Sequence, residues 1–475
     1  MLFNSYEFFV LVLATLFIYY IPAVRRWQVH ILIFSSLVFY GWNNPSLLAL
    51  FISSAGINVW ASYMVTHGDP SKRKAYATLG VVVNLLILCF FKYSPLISVS
   101  FFPPTSDIGM FLVQIPLPIG ISFYTFEGIS LLVDAYKGRD IEKFRALVPK
   151  DIGTHAVNTT FFVAFFPHLI AGPILKAHDF IPQIKEKYFS KIDWNAFFNA
   201  ALVGFFLKMV IADNLKEHTF WIAYPYFESM NSGLLIMMIF GYSMQILADF
   251  AGYSLIAIGI SHLFGYRLPQ NFNFPYVSRS ITEFWRRWHI SLSSFLKEYL
   301  YFPLGGNRKG IPRMYFNLIV VMFLGGLWHG ASWSFALWGT FHGVCLAIER
   351  LFKPYVKAPT SRPGIGLAIL ATFTLVTLSR LMFVLPIQYA WSYFIAMFTQ
   401  WDIPIAPLGY LTIVCIILYS IPVILYHIWH VLGVNIGEYR IAFPIRRYAF
   451  VGYGLMLFFI IVSSGTAGDF IYFQF

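Results

Sequence analysis

The chain has 475 residues, of which 58% are hydrophobic, 20% aromatic and only 11% charged. A soluble chain carries roughly twice that share of charge, so a water-soluble globular fold is excluded. Apolar runs that are continuous rather than alternating exclude a β-barrel. The net charge of +12 reads as Lys and Arg gathered in cytoplasmic loops, and nucleic acid is not an expected partner.

The first run, "MLFNSYEFFVLVLATLFIYYIPAVRRW", lacks a basic leading segment and a small-residue cleavage site. It is expected to be an uncleaved span with its N-terminus outside and Arg25 and Arg26 in the cytoplasm. Further spans are expected near 28–45, 46–66, 77–98 and 109–133, with basic cytoplasmic loops at 67–74 and 134–140. The stretch 161–180 is apolar but holds Pro167, Gly172 and Pro173, and is expected to be a broken or re-entrant helix. Residues 185–191 are polar and expected in the cytoplasm. Spans follow near 196–213 and 232–260. The latter carries Asp249 with Tyr253 one turn later. A carboxylate there is costly unless paired, so it either lines a cavity or bonds a neighbouring helix.

The most polar block, Arg267 to Arg313, contains "ITEFWRRWHISLSSFLKEYLYFPLGGNRKG". Read as one helix, it places Trp285, Trp288, His289, Leu292 and Leu296 on one face and Arg286, Arg287, Ser293, Ser294 and Lys297 on the other. That is an amphipathic helix at the cytoplasmic interface, with Glu283 and Arg287 spaced to pair. His289 is then either a satisfied core histidine or a second functional imidazole.

From 314 to 348 the chain is almost wholly apolar. One helix of that length would run about 50 Å, too long for the hydrocarbon. Gly325, Gly326 and Gly330 supply a break, and Arg313 and Arg350 flank it, so a helical hairpin with His329 near its apex is expected. An ionisable group at a break that only a cavity excuses is a functional candidate. Desolvation keeps such an imidazole neutral and able to act as a base. His342 is expected to pack, and Trp328, Trp333 and Trp338 to pack or anchor at an interface. Spans near 366–396, 408–431 and 449–465 complete an all-α polytopic membrane protein of about 11–13 transmembrane helices plus re-entrant and interfacial ones. It is expected to form one membrane-embedded domain over 1–475. Cys89, Cys345 and Cys415 sit in apolar runs without a CxxC spacing, and no HxxxxD, GxSxG, P-loop or HExxH motif is present. No metal is expected.

The segments "FFPHLIAGPI", "ADFAGYSLIAIG", "NFNFPYVSRSITEFWRRWHISLSSFLKEYLYFPLGGNR", "LGGLWHGASWSFALWGTFHG" and the terminal "FIYFQF" resemble the membrane-bound O-acyltransferase family, and within it the bacterial alginate O-acetyltransferase branch. The core motifs lie at 248–343. The resemblance implies helices ringed around a central tunnel and a catalytic histidine at His329, with His289 as the branch's second histidine. Trp328, Gly330, Trp288, Arg287, Asp249 and Tyr253 are then candidates for lining the tunnel or binding substrate. It further implies a cytoplasmic thioester donor, acetyl-CoA, with no tightly bound cofactor. The implied setting is a bacterial inner membrane, with a periplasmic acetyltransferase partner and exopolysaccharide machinery. Alternatives are a D-alanyl-transfer relative acting on a cell-wall polymer, a polysaccharide transporter subunit that would leave acetyl-CoA intact, and a non-catalytic assembly subunit.

Overall fold

The computed structural model describes residues 1, 3–42, 44–103, 105–138, 141–170, 172–356, 359–435 and 445–465. The motif at 470–475 lies outside the described residues, as do positions 139 and 140 of the expected basic loop. Among the described residues every regular element is a helix. Seven helices among the described residues are long and apolar enough to cross a membrane, or eight if one bent pair counts as a span. The protein is a multi-pass membrane protein.

The expected number of spans was larger because several apolar runs are interrupted. Tyr6–Tyr19 and Pro22–Gly41 meet at a bend of 108°. The run 109–133 divides into Asp107–Gln114 and Ile121–Lys137, since Pro116 and Pro118 between them lack the N–H a helix requires. The run 366–396 divides into Arg362–Ser379, Leu381–Val384 and Ile387–Thr399, with Pro386 opening the last. The broken helix expected at 161–180 is present: Ile152–Ala164 ends three residues before Pro167, and the chain resumes a helical turn only at Ala177–Phe180.

The chain forms two compact units, 1–201 with 254–269, and 202–253 with 270–475. In unit 1 the helix Ile121–Lys137 is buried nearly all round, as a helix enclosed by others must be. Three of its polar side chains reach partners on the following segment. Glu127 Oε1 lies 2.5 Å from His168 Nε2, and Asp134 Oδ2 lies 2.7 Å from His178 Nδ1. Ser130, between them, accepts from the backbone N–H of Ala177.

In unit 2 the central feature is a hairpin of Ile311–His329 and Trp333–Phe352. Pro312 in the first turn suits the start of the first helix, and the Ser332 hydroxyl accepts from Ser334 N–H at the start of the second. The break is at Gly330, not at Gly325 and Gly326, which stay helical. Gly326 and Gly339 instead let the two helices touch: a Cβ on either would run into the other strand of the hairpin, at the carbonyl of Phe335 or of Met322.

Candidate active site

The chain from 270 to 304 builds one wall of the site. Ser280 caps the helix Ile281–Arg287 by accepting from Glu283 N–H at 3.1 Å. That helix stops at Trp288 and restarts at Ile290, so the continuous amphipathic helix expected here is two short ones. The segregation of faces survives: Trp288, His289, Leu292 and Leu296 are buried, while Arg286 and Lys297 are exposed. The interruption is His289 itself, with φ 43° and ψ 56°, a left-handed conformation that costs a side chain of this size on the order of 1–3 kcal/mol.

Asn271 compensates. Its Oδ1 accepts from His289 Nδ1 at 2.9 Å and from the Ser291 hydroxyl at 2.9 Å, and its backbone carbonyl accepts from Ile290 N–H at 2.9 Å. This fixes the tautomer. With Nδ1–H donated to Asn271, the neutral ring carries its lone pair on Nε2, a buried atom with no hydrogen-bond partner among the described residues. Burial pushes this imidazole down to about 3, so it is uncharged at neutral pH.

The opposite wall is the hairpin apex. The His329 ring lies 6.1 Å from His289, 5.1 Å from Trp328, 5.3 Å from Trp338 and 5.5 Å from Phe383, centroid to centroid. Trp328 is also 5.7 Å from His289, and Phe250 closes over His289 at 4.6 Å. Gly330 follows His329 in extended conformation with φ −160°. A side chain there would strike the Phe335 ring. His342 Nε2 donates to the Ser379 hydroxyl at 3.1 Å, and Trp333 is exposed.

Unit 2 thus brings together His329, His289, Trp328, Trp288 and Gly330. Three other candidates are held by partners of their own. Arg287 is half-buried in an ion pair with Glu283 at 2.8 Å and donates to the Asn273 carbonyl at 3.1 Å. Asp249 pairs with Lys208 at 2.8 Å, and Lys208 pairs at 2.7 Å with Asp213. Tyr253 lays its ring 5.2 Å from the same ammonium. Asp249 thus bonds a neighbouring helix, the expected way to offset its cost.

Lys208, Asp213, Asn271 and Arg380 were not singled out from sequence. Lys208 and Arg380 had a readable signal, a basic residue inside an apolar run; Asn271 had only its place at the start of a resembling motif. Among the described residues no cluster of His, Cys, Asp or Glu suits a metal. A cavity of about 210 Å³ lined by Trp221, Asn231, Leu234, Ile405 and Thr412 holds none of the site residues.

Two imidazoles 6.1 Å apart in an aromatic enclosure can abstract and relay a proton. The relationships of the chain agree. Residues 143–385 match the model of the membrane-bound O-acyltransferase family. The chain is 39% identical over 411 residues to a probable alginate O-acetylase of Azotobacter vinelandii, covering 85% of this chain and 79% of that one. It is 38% identical over 409 residues to the corresponding protein of Pseudomonas aeruginosa (84% and 75% covered). It is 36% identical over 374 residues to a peptidoglycan O-acetyltransferase of Helicobacter pylori (74% and 70%). The chain belongs to the membrane-bound O-acyltransferase family, and it is an O-acyltransferase.

Proposed function

We propose that this enzyme moves an acetyl group from cytoplasmic acetyl-CoA to an exopolysaccharide of the alginate type, with His329 as general base. The observation that carries the reading is the apposition of His329 and His289, 6.1 Å apart at the end of a glycine-packed hairpin. The names of the relatives at 38–39% identity support the acceptor class. Trp328 and Trp288 shape the space around the reacting carbonyl.

In the proposed step the acceptor hydroxyl attacks the thioester carbonyl carbon while His329 takes its proton. The C–O bond forms and the carbonyl electron pair moves onto oxygen. When the C=O bond re-forms, the C–S bond breaks and the thiolate leaves with the proton from the imidazolium. General-base action supplies about 10²–10⁴-fold, and holding donor and acceptor in register supplies much of the remainder. His289, locked by Asn271 with its lone pair on Nε2, orients the donor or hands on the proton. Acetyl-CoA is a substrate in this scheme, not a resident cofactor. The setting is the bacterial inner membrane, and a periplasmic acetyltransferase partner receives the acetyl group on its way to the glycan.

The test is labelled acetyl-CoA supplied to the purified protein with periplasmic partners and glycans, following which species becomes labelled. His329→Gln keeps the polarity but takes no proton at this position, and should lower transfer at least ~100-fold while leaving the protein folded. A folded Gln variant with near-wild-type transfer would remove the base. Intact acetyl-CoA after incubation with wild-type protein would favour a transporter, and a carrier-bound aminoacyl donor would favour the D-alanyl relatives.

A further inference from the structure

Arg380 stands at the junction of Arg362–Ser379 and Leu381–Val384, and its side chain is 1% exposed. Its guanidinium lies 4.2 Å over the Trp288 ring and 5.9 Å from that of Phe383. Phe383 is also in contact with His329 at 5.5 Å, and Trp288 directly precedes His289. Nε and Nη2 of Arg380 have no hydrogen-bond partner, and no carboxylate pairs with it among the described residues.

A buried cation without an anion is expensive. Aromatic faces offset part of that cost, but they do not satisfy N–H donors. Buried polar atoms are almost always bonded, so an orphan needs a reason. Here three orphaned donors fall around one spot: Arg380 Nε and Nη2 and Trp338 Nε1 are buried and unpartnered, beside the open lone pair of His289 Nε2. Trp338 touches both His329 and Phe383, at 5.3 and 5.2 Å. The spot is lined by aromatic rings and, among the described residues, holds the fixed positive charge of Arg380 beside them. That suits a small anion generated in place better than a bulky solvated one.

The geometry points to Arg380 as a further catalytic residue, whose guanidinium receives the negative charge that develops on the acyl carbonyl oxygen. This rests on the acyl-transfer reading above. As the acceptor oxygen bonds to the carbonyl carbon, the displaced electron pair resides on the carbonyl oxygen and the Arg380 N–H groups donate to it. Collapse returns that pair to the C=O bond and releases the thiolate. Nothing is oxidised or reduced, and the only proton moved is the one His329 carries. A guanidinium fixed in advance at that oxygen favours the transition state over the neutral ground state.

The test uses the full-length protein in lipid nanodiscs with acetyl-CoA, periplasmic extract and alginate oligosaccharide, following release of the CoA thiol. Arg380→Met keeps the volume and removes the charge. It should lower kcat by about 10²–10³-fold, as loss of an oxyanion donor does, with the KM for acetyl-CoA changed far less. Its Tm should equal or exceed that of the wild type, because an uncompensated buried charge has been removed. Arg380→Lys, keeping the charge but not the fork of donors, should fall between the two. An Arg380→Met enzyme with wild-type kcat would overturn the proposal. So would a loss confined to KM, which would make Arg380 a holder of the donor's phosphates. A lowered Tm with normal turnover per folded molecule, or failure of both variants to fold, would assign a structural role and overturn it equally. A wild-type protein that releases no thiol would sink the acyl-transfer reading instead, a result recorded before any variant is made.

Discussion

Among its described residues unit 2 buries two cations and treats them in opposite ways. Lys208 is held between the carboxylates of Asp213 and Asp249, at 2.7 and 2.8 Å, with Tyr253 over it. Arg380 has aromatic rings and no carboxylate. The first arrangement closes its charges on one another. It is presented by a π-helical stretch, Phe206–Ala212, packed against a helix that comes close because Gly252 carries no side chain. The second leaves Nε and Nη2 without a hydrogen-bond partner, against rings that flank the histidines. Charges that are compensated hold helices together; a charge left uncompensated next to a base is available to something that arrives.

Removing the ammonium is the strongest way to break this comparison. Lys208→Met leaves two buried carboxylates without a cation and should cost about 3–5 kcal/mol of stability, read as a fall in Tm in detergent or nanodiscs. Turnover per folded molecule should stay close to wild type. A stable Lys208→Met protein that is inactive would place Lys208 in the chemistry and erase the distinction.

A smaller effect tests whether the aromatic site depends on the hairpin that presents it. Gly326→Leu forces the helices apart against the Phe335 carbonyl and should cost about 1–3 kcal/mol, as overpacking does. Transfer activity should fall along with stability, because His329 lies three residues further along the same helix. Stability lost without activity lost would mean that the close contact does not position the base.

The two histidines are separated by His289→Ala. Transfer should fall by ~10-fold, short of the ~100-fold lower end of general-base effects, or the KM for acetyl-CoA should rise. Asn271→Ala should give part of the same loss by freeing the tautomer. Unchanged kinetics in both variants would return His289 to packing.

The effect of pH is nil at neutrality and grows only on acidification. Burial holds His289 down to about 3, whereas an unfolded imidazole titrates near ~6.5. Between those values the unfolded chain binds a proton that the folded one does not. Stability is therefore complete above ~6.5 and falls as pH drops below it, by up to ~1.4 kcal/mol per pH unit for this one group. His289→Asn should flatten the fall of Tm with acidification. An identical slope in wild type and variant would assign the acid sensitivity to other groups.

Composition and periodicity by themselves determined the all-helical membrane fold, the break at 161–180 and the hairpin after Arg313, because apolar run length and proline placement act locally. The sequence also singled out His329 and His289, through a titratable ring in an apolar stretch and through motif resemblance. It misplaced the function of Gly325 and Gly326, since a glycine that breaks a helix and one that lets two helices touch look alike in one dimension. It read 281–299 as one helix because periodicity does not register a single left-handed residue; only the Asn271 side chain, eighteen positions away, makes that conformation tenable at His289. Tertiary structure alone decided that Asp249 has Lys208 as its partner while Arg380 meets no carboxylate among the described residues. Which buried charges meet depends on which helices pack, and no spacing along the chain carries that information.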